Sequence, residues 1–186
     1  MPTCADPQAV LRDTRAWLER AVIGLNLCPF AKAVHVKGQI HYAVCHATEP
    51  AGILAALREE LAALLALEAA QRETTLLILP EALPEFLDFN DFFGRADRLI
   101  GKLGLRGVIQ LASFHPHYQF AGTEADDIGN CTNRAPYPML HLLREESIDR
   151  AVSAFPDAAA IYEANLRTLR ELGAAGWTRL DLGPKP

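Results

Sequence analysis

The feature that most constrains this chain is an alternation of short apolar runs with longer segments of helical periodicity. His41-Tyr-Ala-Val-Cys-His46, Thr74–Leu79 and Gly107–Phe114 read as strands. The second is bounded by Pro80 and suits a strand buried on both faces. Between the first two, a segment opened by Thr48 and Pro50 repeats Ile53, Leu54, Leu57, Leu61, Leu64 and Leu65 at helical spacing. Between the second and third, Phe89, Phe92, Phe93, Ala96, Leu99, Ile100 and Leu103 do the same over residues 89–103. Strands alternating with helices favour a parallel or mixed sheet joined by right-handed crossovers. The expected fold is α/β (or α+β), a layered sandwich in which a small mixed or parallel sheet of about 3–5 strands packs against helices.

The flanks add helices. Asp6-Pro7 combines a capping side chain with proline at a first helical position. Val10, Leu11, Trp17, Leu18, Ala21, Val22 and Leu25 then give an amphipathic helix over residues 7–25, stopped at Asn26–Phe30 by Pro29. Val34–Val36, followed by Lys37-Gly38, offers a pairing segment for the first strand. After the third strand and a long loop, helices are expected near Pro138–Arg144 and Asp157–Leu172, the latter closed by Gly173. Trp177–Leu182 reads as a last edge strand. No repeat or low-complexity linker interrupts the 186 residues. One domain, residues 1–186, is the economical organisation, since domains run to roughly 100–200 residues.

Charge and cysteine usage exclude several classes. The net charge is -5 and no Lys/Arg cluster occurs, which argues against nucleic acid. Met1–Asp6 has no basic region leading into an apolar one, and Leu61–Leu67 and Leu76–Leu79 are too short to cross a bilayer. Cys4, Cys28, Cys45 and Cys131 form no CxxC pair, which suits reduced thiols in a cytoplasmic protein and excludes a paired-knuckle zinc site. There is no P-loop, Rossmann glycine fingerprint, HExxH helix or GxSxG elbow. The oligomeric state is left open.

Ligands in open α/β sheets sit beyond the carboxyl ends of the strands. If the three strands run parallel, those ends carry His46-Ala47-Thr48, then Glu81 to Asp91, then His115 onward. From Pro116 to Tyr137 no helix or strand is predicted, and a loop of that length is usually functional. At its opening, Ser113, His115, His117 and Gln119 alternate with Phe114, Pro116, Tyr118 and Phe120. Extended backbone puts both imidazoles on one face with Cα atoms ~6.5–7 Å apart. A His-x-His pair of this kind offers two nitrogen ligands to a divalent metal, and Asp126 or His141 could complete the set. The same pattern is what a half-buried strand with two surface histidines looks like. Glu124, Asp126 and Asp127 are candidate general acids or bases, or a hydrophilic turn between Gly122 and Gly129. Asn130, Asn133 and Arg134 lie just before the helix expected at Pro138, where free N–H groups favour an anion. On that helix His141, Arg144 and Glu145 share a face, so Arg144 could reach a phosphate or carboxylate. Cys131 is the more credible reactive thiol. Cys28, in Asn26-Leu-Cys-Pro-Phe30, reads as structural, because a helix C-terminus disfavours thiolate.

Two stretches, WLERAVIGLNLCPFAKAV and SFHPHYQFAGTEADDIGNCTNRAPYPMLHLLREESI, resemble a family of small, mostly bacterial proteins catalogued as a domain of unknown function. The resemblance covers nearly the whole chain. It implies a stand-alone cytosolic domain and carries over no activity. From the residues alone, the leading reading is an enzyme acting on a small anionic metabolite, by metal-assisted hydrolysis through His115, His117 and Asp126 or His141, or without metal through a histidine base and Cys131. Asn130, Asn133, Arg134 and Arg144 would bind the anion. The other class is a non-catalytic small-molecule, metal or partner-binding module, with Phe86-Leu-Asp-Phe-Asn-Asp-Phe92 as a possible partner face. Convergence of the histidines and carboxylates in one cleft, or their scatter over a surface, separates the two.

Overall fold

A computed structural model describes residues 5–154 and 158–183. Helix α1, Pro7–Trp17, starts as its sequence requires: the Asp6 side chain accepts from the Gln8 amide at 3.1 Å and Pro7 stands at the first turn. The helix then widens into π turns over Leu18–Ile23. Gly24 closes them with its amide on the Glu19 carbonyl. A Cβ at Gly24 would lie 2.3 Å from the Arg20 carbonyl oxygen, so only glycine fits this turn. Helix α2 is Ala31–Val36, strand β1 Ile40–Val44, helix α3 Pro50–Leu65 and strand β2 Thr74–Ile78. Helix α4, Phe86–Lys102, leads to β3, Ile109–Phe114. A 3-10 helix at Ile128–Asn133 precedes β4, Met139–Arg144, and the chain ends with α5, Glu145–Ala154, and α6, Ala158–Arg179. Among the described residues no helix is long and apolar enough to cross a membrane.

The four strands form one mixed sheet in the order β1-β2-β4-β3. β1 and β2 are parallel, and β4 runs antiparallel between β2 and β3, so β1, β2 and β3 all point one way. Both faces are covered. Ile53, Leu57, Leu61 and Leu64 of α3 and Phe89, Phe92, Ala96 and Ile100 of α4 pack on one face with Leu77, Leu79, Leu140 and Leu142. Val10, Trp17, Leu18 and Ala21 cover the other, against Leu76, Ile78 and Met139. The α/β expectation is met, with a sheet that is mixed rather than parallel.

Three predicted elements are corrected. Pro138–Arg144 supplies a strand, β4, not a helix. Leu140 and Leu142 enter the α3/α4 core while Met139 enters the α1 core. Six residues apolar on both faces carry no period that separates a strand from a helix. What decides is long-range: only an extended segment here pairs the inner backbone edges of both β2 and β3. Val34–Val36 belongs to α2. The turn at Lys37-Gly38 is real, but Gly38 at φ 68 caps that helix through its amide on the His35 carbonyl. Trp177 continues α6 to Arg179 instead of opening an edge strand, although Trp177, Leu180 and Leu182 do pack on the α1 core. Gly173 interrupts α6 at φ 66, close to its expected end. The start expected at Asp157 lies outside the described residues.

Candidate functional site

Because β1, β2 and β3 share a direction, their carboxyl ends gather at one edge, beside the start of β4. His46 leaves β1 and its Nδ1 lies 2.7 Å from Glu81 Oε1, beyond β2. The same oxygen accepts the Ala5 amide at 3.0 Å. An oxygen that receives a backbone N–H is best matched by a protonated Nδ1, which sets the His46 tautomer. Two residues on, Leu83 adopts φ 55, a left-handed conformation that leucine rarely takes. Its carbonyl is held by His115.

His115 is fully buried at the end of β3. Its Nδ1 accepts the His117 amide at 3.0 Å, so Nε2 carries the proton and donates to the Leu83 carbonyl at 3.0 Å. The ring packs against Phe86 and Phe89, with centroids 5.5 Å and 5.1 Å away. Burial lowers its pKa, against the weaker opposing effect of the Leu83 bond. Both nitrogens are therefore committed: Nε2 joins this loop to the one after β2, and Nδ1 fastens the turn that follows His115 itself. The His117 ring, 5.9 Å from that of His115, is exposed.

The loop that follows is held by its own polar side chains. Asn130, fully buried, accepts the Phe120 amide at 3.0 Å on Oδ1 and donates Nδ2 to the Glu124 carbonyl at 2.8 Å. The Thr123 hydroxyl stands 2.9 Å from the same Oδ1. Asp127 caps the 3-10 helix by accepting the Gly129 amide. Asn133 Nδ2 donates to the Ser113 carbonyl at 3.1 Å. Arg134 turns inward: Nε reaches the Tyr118 carbonyl at 3.2 Å and Nη2 the Ala125 carbonyl at 2.5 Å. Its own carbonyl accepts Trp17 Nε1 at 2.9 Å. Cys131 is 2% exposed and packs with Leu27 and Leu169, and burial pushes its thiol up more than the Arg134 guanidinium draws it down. A thiol so placed is a poor nucleophile.

The remaining candidates lie elsewhere. His141 sits inside the sheet on β4, opposite Ala112 and Leu76. Thr74 Oγ1 donates to the Leu142 carbonyl at 2.6 Å and receives Nε2 of His141 at 2.7 Å. Desolvation lowers the His141 pKa to about 4. Arg144 ends β4 at the opposite edge of the sheet, where Nη2 donates to the Leu64 and Leu67 carbonyls, both at 2.7 Å. There it caps the C-terminus of α3. With β4 a strand, no helix N-terminus follows Asn133 and Arg134. Asp126 and Glu124 are exposed. Among the described residues no three His, Cys, Asp or Glu side chains converge in a way that suits a metal ion. His115 and His117 are neighbours, but Asp126 and His141 do not join them in such a group.

A family model described as "Protein of unknown function (DUF1415)" matches residues 9–179. The chain belongs to this family. No curated protein and no solved structure matches it. The DUF1415 match runs from the first turn of α1 to the end of α6, so it takes in the whole carboxyl edge and the loop. The His46–Glu81 contact joins residues already at the strand ends in the sequence, but their pairing depends on β1 lying beside β2.

Proposed function

We propose that this DUF1415 chain is a non-catalytic recognition module whose carboxyl edge docks a basic segment of another protein. One observation carries the reading. The strand-end segments 45–52, 79–92 and 115–137 hold eight carboxylates (Glu49, Glu81, Glu85, Asp88, Asp91, Glu124, Asp126 and Asp127) and one guanidinium, Arg134. With the chain at -5, the remaining residues carry a slight positive excess. Arg134 is spent on loop carbonyls. Glu85, Asp88, Asp91, Glu124, Asp126 and Asp127 are all exposed. Leu87, 76% exposed, stands among those of α4. The Phe86–Tyr118 ring contact at 5.0 Å makes the start of α4 and the loop one surface. Such a field repels a small anion and attracts a cationic partner, while Leu87 offers an apolar contact within it.

The test is fluorescence anisotropy with a labelled lysine-rich peptide carrying one leucine, at several salt concentrations. Binding is expected to weaken with salt, and Glu124→Lys/Asp126→Lys to weaken it roughly tenfold or more. Leu87→Ser leaves the charge untouched and should weaken the leucine peptide more than its alanine counterpart. Binding that ignores salt, or equal loss for both peptides in the Leu87 variant, would overturn the reading.

The enzymatic reading keeps one contact in its favour, the carboxylate-oriented imidazole of His46 and Glu81. Elemental mass spectrometry of untagged protein beside a His115→Ala/His117→Ala variant tests its metal-assisted form. Near-stoichiometric metal lost in the variant would support it; equal metal content would remove it. The recognition reading predicts the second result.

A further inference from the structure

The outward face of α1 does not serve the sheet. Val10, Thr14, Trp17 and Ala21 turn inward, whereas Ala9, Arg12, Asp13, Ala16 and Arg20 fall on a neighbouring stripe at helical spacing. This stripe forms one wall of an open cleft of about 520 Å³, completed by Tyr137, Asp181 and Gly183. That volume is within the range of small-ligand sites, about 300–1,000 Å³. Ala9 and Ala16 line it where longer side chains would fill it.

We propose that this cleft binds a small hydroxylated molecule with two anionic ends. Arg12 and Arg20 are eight residues apart, roughly 12 Å along the helix axis, so their side chains flank the cleft. Arg20 is held in place by Nη1, which donates to the Leu180 and Asp181 carbonyls, both at 3.1 Å, and stands 3.9 Å from the Asp181 carboxylate, too far for a hydrogen bond. Its Nε and Nη2 make no hydrogen bond among the described residues. Arg12 stands 3.9 Å from Asp6, too far for a hydrogen bond, and is 70% exposed. Each guanidinium therefore keeps donors for a carboxylate or phosphate. Between them the Tyr137 hydroxyl donates to Asp13 Oδ2 at 2.7 Å. That bond fixes the Asp13 carboxylate through Oδ2 and leaves Oδ1 as an acceptor for a ligand hydroxyl. Two guanidiniums around a central acceptor, each paired with its own carboxylate only at 3.9 Å across exposed surface, match a hydroxy dicarboxylate better than a plain one, and match a monoanion least. These residues are not the ones that dock the basic partner, so the two proposals fail independently.

Isothermal titration of the full chain with malate, tartrate and citrate, with succinate and acetate for comparison, tests the assignment. The hydroxylated di- and tricarboxylates are expected to bind, succinate several-fold more weakly, and acetate not measurably. Arg12→Gln should weaken malate at least roughly tenfold. Ala16→Leu should abolish the heat by filling the cleft. Both positions line the cleft rather than the core, and an unchanged thermal midpoint would verify folding. No binding of any hydroxy acid at roughly 10 mM, or binding unaltered in both variants, overturns the proposal.

Discussion

Replacing His115 with alanine is expected to cost roughly 4 kcal/mol, a large share of the about 5–15 kcal/mol that holds a typical domain together. Three losses combine. The ring leaves a cavity against Phe86 and Phe89, and large-to-small changes in a core cost about 2–5 kcal/mol. The Leu83 carbonyl loses its donor and the His117 amide its acceptor, each worth about 1–3 kcal/mol when the orphaned group stays buried. Relaxation of Leu83 from φ 55 returns part of this. Two milder variants divide the cost. His115→Asn places an oxygen near the Nδ1 position and keeps the His117 amide satisfied. His115→Gln places an amide nitrogen near Nε2 and keeps the Leu83 bond. Each should lose about half of what alanine loses, read from urea midpoints. A loss under about 1 kcal/mol for alanine would show that His115 does not tie the two loops together.

The role of His115 also shows why the site was only partly legible. The alternating imidazoles do stand at the carboxyl end of β3, where the sequence puts them. Sequence cannot tell whether an imidazole there faces a cleft or bonds the neighbouring loop. Asn130 and Arg134 raise the same difficulty. A loop of some twenty residues whose only regular piece is the 3-10 helix at Ile128–Asn133, which the sequence did not announce, must satisfy its carbonyls and amides somehow, and here side-chain amide and guanidinium groups help to do it. The residue types that hold such a loop are the ones that would bind an anion. What local sequence does carry is net charge: the excess of carboxylates over cations in the strand-end segments is there to be counted, and only the topology shows that they share an edge.

The fold divides along the same line. Strands β1, β2 and β3 and helices α1, α3 and α4 follow from local periodicity because each buries one clear face or a continuous run. β4 does not, because its strand character comes from the gap between β2 and β3 and not from Met139–Arg144 itself. That one substitution of strand for helix moves two site candidates. It carries Arg144 to the far edge of the sheet and sets His141, half-buried, on an inner strand.

The place of His141 on an inner strand gives the molecule a predictable response to acid. In the unfolded chain its pKa is near the ordinary 6.5, and in the folded protein it is about 4. Between those values the unfolded chain binds more protons than the folded one, so stability rises with pH across the window. The contribution is complete above about pH 6.5, declines as pH falls, and levels off below about pH 4, where both states are protonated. Each unit of difference corresponds to about 1.4 kcal/mol, so His141 should account for about 2–3 kcal/mol once some solvent screening is allowed. The buried His115, also shifted downward, acts in the same direction. Carboxylates titrate in the lower part of the window too, so the wild-type curve alone does not isolate the histidine. His141→Gln does. It keeps a donor for the Thr74 hydroxyl, which still has the Leu142 carbonyl as its own acceptor, and it cannot ionise. At pH 7.5 the variant should lie within about 1 kcal/mol of the wild type, and the two urea-derived stabilities should converge or cross as pH falls to 4. Parallel curves would mean that the His141 ring is free to protonate where it stands, and that Thr74 and the strand interior do not hold it neutral.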